Sequence, residues 1–182
     1  MIKITEFQSE DVNLILKWIG TQEDLISWSG KQFSFPLQQT ELVNYFKTFE
    51  GKPDNFKAFN IELNGEKIGH CELANINTIE KNAAFISKIF LRQDLRRNGY
   101  ATLAISALLN LAFGLLNRVI LGVIADNEAA INCYKKIGFN FVKNKVTSFE
   151  VADKQYTAVW MDLRKEEWVE KLVVTSYKKT KV

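Results

Sequence analysis

Phe85-Ile86-Ser87-Lys88-Ile89-Phe90-Leu91-Arg92-Gln93-Asp94-Leu95-Arg96-Arg97-Asn98-Gly99-Tyr100-Ala101-Thr102 is the stretch on which the reading of this chain turns. Residues 85–91 are apolar and β-rich, the signature of a buried strand. Arg92 to Arg97 make a polar turn, and beyond Asn98-Gly99 the apolar residues Leu103, Ala104, Ala107, Leu108, Leu111 and Ala112 recur at helical spacing. A strand, a short basic loop and a helix N-terminus in that order build an anion site. The unpaired N–H groups of the first helical turn converge there, and the helix dipole adds about half a positive charge. Gly99 allows close approach to the backbone, Ala101 keeps the approach open, and Arg96 and Arg97 add cations suited to a diphosphate. Asn-Gly is also a hairpin signal, but the residues after it keep helical period. A helix that merely begins at Asn98 is the alternative. Neither a G-x-x-x-x-G-K-[ST] phosphate loop nor a G-x-G-x-x-G dinucleotide fingerprint occurs in the chain.

Working outward, Arg96-Arg97-Asn98-Gly99-Tyr100-Ala101 fits [QR]-x-x-G-x-[GA]. Residues 127–139, Asn-Glu-Ala-Ala-Ile-Asn-Cys-Tyr-Lys-Lys-Ile-Gly-Phe, fit N-x-x-A-x-x-x-Y-x-x-x-G-F. One helix and the strand Arg118 to Ile124 separate the two. In kind, order and separation they resemble the two motifs of the GNAT N-acyltransferase superfamily, most nearly its ribosomal-protein N-terminal and spermidine acetyltransferase-like branches. The resemblance covers residues 56–163 well and the N-terminal part more loosely. It implies a mixed α/β fold: a mostly antiparallel central sheet of about seven strands, one splayed parallel pair, and flanking helices.

The composition sets bounds. With 182 residues and 47% hydrophobic content, one domain (1–182) with a sizeable core is expected, with 165–182 as a possible C-terminal helical extension. A net charge of +3, dispersed along the chain, gives no warrant for nucleic-acid or membrane partners. Lys3 and Glu6 are unlike a signal peptide, and no apolar run reaches bilayer length. A cytoplasmic protein with two reduced cysteines, Cys71 and Cys133, is expected. His70 is the only histidine, so no multi-histidine metal site or Ser-His-Asp triad is expected.

In chain order, Ile2 to Phe7 alternates as an opening strand. Ser9 is a candidate N-cap for a helix carrying Val12, Leu14, Ile15, Trp18 and Ile19, and Gln22 to Trp28 form a second helix. A third begins at Gln38 or Thr40. Strands Phe56–Leu63 and Lys67–Ala74 flank Asn64-Gly65, a two-residue hairpin turn. A helical crossover carries the buried strand into a parallel neighbour at Arg118–Ile124. Phe139–Val151 and Gln155–Leu163 form a last hairpin through Ala152-Asp153, and Arg164–Val174 a final helix.

The resemblance also implies the chemistry. The cofactor is acetyl-CoA, acting as co-substrate, and an amine attacks its thioester carbonyl while a thiolate leaves. Backbone groups of Ile89, Phe90 and Leu91 would pair with the pantetheine arm, one N–H facing the carbonyl oxygen. Arg96, Arg97, Asn98, Gly99, Tyr100, Ala101 and Thr102 would hold the pyrophosphate, and Asn127 the pantetheine. Tyr134 matches the general acid. A phenol titrates near 10 and a thiol near 8.5, so protonating the thiolate costs only about 2 kcal/mol. Glu72 is the first candidate for the general base, followed by Glu80 and His70; strand alternation puts His70 and Glu72 on one face. Trp28, Phe33 and Phe35 are candidates for the wall of the acceptor cleft, or are core residues.

Two departures bear on the acceptor. Ala84 stands where the spermidine branch carries a glutamate, and Tyr134 stands where the ribosomal branch carries an acid. The expected acceptor is a small-molecule amine or a peptide N-terminus, and dimers through the late strands are common in the superfamily, so a homodimer is possible. The alternative from another class is a CoA-binding sensor or interaction module without turnover.

Overall fold

The computed structural model describes residues 1–52, 54–78 and 80–169. The chain opens with β1 (Ile2–Glu6), a 3₁₀ turn at Ser9–Asp11, and three helices: α1 (Val12–Trp18), α2 (Gln22–Ser29) and α3 (Gln39–Lys47). A meander follows: β2 (Phe56–Leu63), β3 (Glu66–Ala74) and β4 (Ala83–Leu91). Then come α4 (Tyr100–Ala112), β5 (Arg118–Ile124), α5 (Glu128–Ile137), and the hairpin β6 (Asn140–Val151) and β7 (Lys154–Arg164). The strands form a seven-stranded sheet in the order β1-β2-β3-β4-β5-β7-β6. Every neighbouring pair is antiparallel except β4 with β5. This is the mixed architecture that the resemblance to the GNAT superfamily implies.

Turn chemistry accounts for the hairpins. Asn64 and Gly65 both have positive φ (53° and 90°), as a primed two-residue turn requires. Ala152 and Asp153 adopt the same left-handed region (49° and 60°) without a glycine. That conformation costs about 1–2 kcal/mol per ordinary residue, and the long β6–β7 ladder holds it in place. The start of the first helical segment differs from expectation. Ser9 opens the 3₁₀ turn instead of capping α1, and the Asp11 carboxylate accepts the Gln8 backbone N–H at 2.9 Å. Asp11 is buried, fixed by Lys67 and Asn60, each donating at 2.7 Å.

The sheet separates two apolar layers. On one face α4 presents Ala104, Ile105, Leu108, Leu109 and Ala112, joined by Ile137 and Phe139, to Ile61, Leu73, Ile86, Leu121 and Met161. A fully buried leucine or isoleucine contributes roughly 1.5–3 kcal/mol, so this layer sets most of the stability. On the other face α1, α2 and α3 pack Val12, Ile15, Trp18, Leu25, Trp28 and Leu42 around Phe90. Residues 165–169 are helical, with Trp168 buried and its indole donating to Asn110 of α4 at 3.1 Å. The rest of the final helix that the sequence suggests lies outside the described residues. Among the described residues no helix is long and apolar enough to cross a membrane.

Candidate active site

The site begins where the parallel pair stops. β4 and β5 pair only through Ala83–Arg118, Ala84–Val119 and Phe85–Ile120, while β4 runs on to Leu91 and β5 to Ile124. Beyond Phe85 the two strands diverge, and a cleft of about 490 Å³ opens between them. Ile86 to Leu91 line one wall, Leu121 to Val123 the other, and α4 and α5 reach it with Gly99, Thr102 and Tyr134. The divergence removes the strand that would have completed β4's outer edge, so an extended ligand can take its place.

At one end of the cleft stands the N-terminus of α4. Its N-cap is Gly99, left-handed at φ 79°, and no side chain caps the helix. The first-turn N–H groups of Tyr100, Ala101 and Thr102 therefore have no capping acceptor, an arrangement that favours an anion. An added Cβ on Gly99 would meet nothing within 4 Å, so the conformation, and the need for an open backbone, calls for glycine there. Arg97, also left-handed (φ 64°), lines the cleft and is exposed. Arg96 is held more firmly. Its Nε donates to the Leu91 carbonyl at 2.9 Å, its Nη1 bridges to Asp24 of α2 at 2.7 Å, and its guanidinium lies 4.5 Å from the Phe90 ring centre. The remaining Nη2 is buried without a partner, which suits a site awaiting an acceptor oxygen.

Tyr134 lies on α5 with its side chain at the cleft, its ring packed edge-on against Phe139 at 5.7 Å. Its hydroxyl makes no hydrogen bond to any described residue. Burial, and secondarily the neighbouring Cys133, pushes its pKa well above the ordinary tyrosine value, so the phenol keeps its proton. Asn127 caps α5, accepting the Ala130 N–H on Oδ1 at 3.1 Å, and it too lines the cleft.

A second polar cluster sits behind the β4 wall. A β-bulge shifts the β3–β4 register: Glu72 faces Ser87 and His70 faces Phe90, so β4 carries one extra residue. Lys88 takes the left-handed conformation at the bulge (φ 48°). The bulge sends Ser87 and Lys88, consecutive residues, to the same side. Both reach Glu72, Ser87 Oγ at 3.2 Å and Lys88 Nζ at 3.3 Å. Tyr45 of α3 donates to the same carboxylate at 2.8 Å and accepts from Lys88 Nζ at 2.8 Å, while His70 Nε2 lies 3.1 Å from the other oxygen. Glu72 is wholly buried. Burial alone would raise its pKa, but the His70 hydrogen bond, the Lys88 charge and the Tyr45 hydroxyl outweigh it and hold the value below the ordinary glutamate range. The Lys88 carbonyl is taken by the Trp28 indole at 2.9 Å, and Trp28 stacks on Phe33 at 5.6 Å. Gly69 permits the tight register beside the bulge, since a Cβ there would sit 2.2 Å from the Phe90 carbonyl oxygen.

Residues 22–139 match the Acetyltransferase (GNAT) family. The chain belongs to that family. It is an N-acetyltransferase that takes its acetyl group from acetyl-CoA. It is similar to the spermidine N(1)-acetyltransferase of Escherichia coli K12, with 25% identity over 162 residues, 88% of this chain and 84% of that protein. Among solved structures it is similar to the Vibrio cholerae spermidine N-acetyltransferase in complex with CoA and spermine. That likeness has a TM-score of 0.77 and 20% identity over 92% of this chain and 98% of the other. A chimera of the Vibrio cholerae enzyme SpeG with hSSAT superposes with a TM-score of 0.78 at 19% identity, covering 92% and 98%.

Of the residues that the GNAT motifs single out, Ile89, Phe90, Leu91, Arg96, Arg97, Gly99, Ala101, Thr102, Asn127 and Tyr134 all line the one cleft. Tyr100 packs into the α4 core instead, and Asn98 turns its amide back to the Arg96 carbonyl at 3.2 Å. Trp28 lines the cleft; Phe33, stacked on Trp28, lines a separate groove together with Phe35, which is 44% exposed. Glu72 and His70 share a face, as alternation predicts, but that face is sealed by α1–α3 and neither residue lines the cleft. Glu80 pairs with Arg118 at 2.7 Å, at the closed end of the parallel ladder. Lys88, Tyr45 and Asp24 enter the site unannounced. One signal existed: Lys88 is the only charge between Ala83 and Leu91, and a lone cation in an apolar strand needs a buried partner.

Acetyl-CoA supplies an activated acyl group on a thiol leaving group. The residues present suit it: unpaired amides and arginines for its diphosphate, an open strand edge for its arm, and a protonated phenol in the cleft.

Proposed function

We propose that this GNAT enzyme acetylates a primary amine of a small molecule, with Tyr134 as the general acid for the departing thiolate. One observation carries the reading. The uncapped N-terminus of α4, the unpaired edge of β4 and the unengaged Tyr134 hydroxyl border a single cleft. In that reading the amides of Ala101 and Thr102, with Arg97 and Arg96 Nη2, hold the diphosphate. Backbone groups of Ile89 and Phe90 align the arm, and the amide nitrogen of Asn127 donates to it. A dry site raises the proton affinity of the thiolate as well as that of the phenol, so their gap, not the phenol alone, decides the transfer. The similarity to spermidine N(1)-acetyltransferase supports a small amine as acceptor.

Glu72 holds its place as an anion that positions β4 through Ser87, Lys88 and Tyr45; the incoming amine loses its proton to water in the cleft. The test is an amine panel with acetyl-CoA, read by release of free thiol. Turnover with at least one small primary amine, lowered about 100-fold in Tyr134→Phe, is expected. No thiol release with any amine refutes the reading.

A further inference from the structure

The Glu72 cluster has the composition of a binding site for an alkylammonium group. It holds a buried carboxylate, a phenol whose ring lies 4.3 Å from the cation, and an indole 6.0 Å from it. Carboxylate and aromatic faces together are how proteins take up ammonium ligands. Here the cation is the chain's own. Lys88 Nζ touches Glu72 and Tyr45, its side chain is 8% exposed, and the residue borders the acetyl-transfer cleft next to Trp28. Only the bulge makes this possible, because strict alternation would have turned Lys88 towards α4 with Ile86.

We infer that Lys88 is a built-in occupant of an ammonium subsite and a specificity-determining residue, so that this enzyme favours acceptors without a second positive charge. The inference rests on the acetyl-transfer reading above and narrows its substrate class. Beyond Cβ, the lysine side chain is three methylenes and an ammonium, the same fragment as the aminopropyl end of a polyamine. A polyamine whose far end sought Glu72 from the cleft would meet a carboxylate already paired and a passage already filled.

The experiment removes the internal occupant and offers an external one. Lys88→Ala vacates the passage and leaves Glu72 unpaired. Lys88→Met fills the passage without charge, and Lys88→Ala with Glu72→Gln vacates it without an anion. Propylammonium chloride is titrated into each by calorimetry and in thermal melts, against sodium chloride at equal ionic strength. Lys88→Ala alone is expected to bind it 1:1 and to melt higher in its presence, since a ligand specific to the folded state stabilises it by mass action. In thiol-release assays, the ratio of spermidine to monoamine turnover is expected to rise about tenfold in Lys88→Ala, the factor that corresponds to about 1.4 kcal/mol.

Should Lys88→Ala fail to fold unaided, recovery of folded protein on refolding with propylammonium supports the inference and no recovery overturns it. An indifferent Lys88→Ala overturns it, as does an equal response from the double variant. So does an unchanged spermidine ratio. A wild type that releases no thiol with any amine refutes acetyl transfer, whereas the propylammonium measurement still reports on Lys88.

Discussion

The cleft and the polar cluster behind its β4 wall are built on different principles. The cleft, from β4 to α4, offers backbone groups: an uncapped helix terminus at Gly99 and a strand edge left open past Phe85, with Arg96 and Arg97 beside them. The cluster is made of side chains from α3, β3 and β4, brought together around Glu72. A backbone site tolerates change at most positions and fails at one or two. A side-chain cluster distributes its energy, and each member depends on the others. The cleft ought therefore to break through conformation, and the Glu72 cluster through charge.

The largest effect is expected at the charge. Glu72→Gln leaves Lys88 buried beside a neutral amide, and removing one partner of a buried pair costs about 3–5 kcal/mol. Urea unfolding at pH 7 measures it. The pH dependence follows from the lowered folded-state pKa of Glu72. Because the value is depressed on folding, the stabilisation is present above the ordinary glutamate value of 4.5 and is lost as pH falls below that towards the folded value. Wild type should lose stability in that acid range more steeply than Glu72→Gln; parallel curves would show that the carboxylate carries no such load.

Gly99→Asp tests the backbone site. Aspartate is a favoured N-cap in extended conformation, but Gly99 is left-handed, and the new carboxylate would face the diphosphate. Like-charge juxtaposition costs several kcal/mol, so acetyl-CoA affinity by calorimetry should fall about 100-fold or more. The melting temperature should fall modestly as well, because a left-handed φ of 79° costs a side-chain-bearing residue about 1–2 kcal/mol even though nothing lies within 4 Å of the added Cβ. Tyr134→Phe is expected to leave acetyl-CoA affinity nearly unchanged and to lower kcat about 100-fold, the lower end for loss of a general acid. A kcat held at the wild-type value would remove the hydroxyl from the chemistry.

The same division decides how much could be read from the chain. β4, its loop and α4 form one continuous segment, so their chemistry has a local spelling, and the strand ends at Arg118 and Ile124 follow from apolar runs alone. The Glu72 cluster has no local spelling. Tyr45 reads as one more apolar-face residue of α3, and Lys88 as a strand residue pointing towards α4. Only the extra residue in β4, which no composition signals, turns it to Glu72. Glu72 itself was visible as a carboxylate in a strand; its burial under α1–α3 depends on how those helices dock. Phe35 shows the converse. Its aromatic character suggests a wall, yet it sits outside the cleft on an exposed turn.

Asn127 stands on the border between the two principles, and the smallest effect belongs to it. Its Oδ1 is committed to the Ala130 N–H at 3.1 Å, which leaves its amide nitrogen for the cleft. Asn127→Ala removes both functions and should cost about 1 kcal/mol of stability through the lost cap, together with a severalfold rise in KM for acetyl-CoA. Asn127→Asp separates them. The carboxylate still caps, and at a helix N-terminus its charge is favourable, but it offers no donor. Stability should stay at the wild-type level while KM rises as in Asn127→Ala. If KM instead follows stability, falling back to wild type in Asn127→Asp, the residue serves α5 alone and the arm is held by the β4 backbone without it.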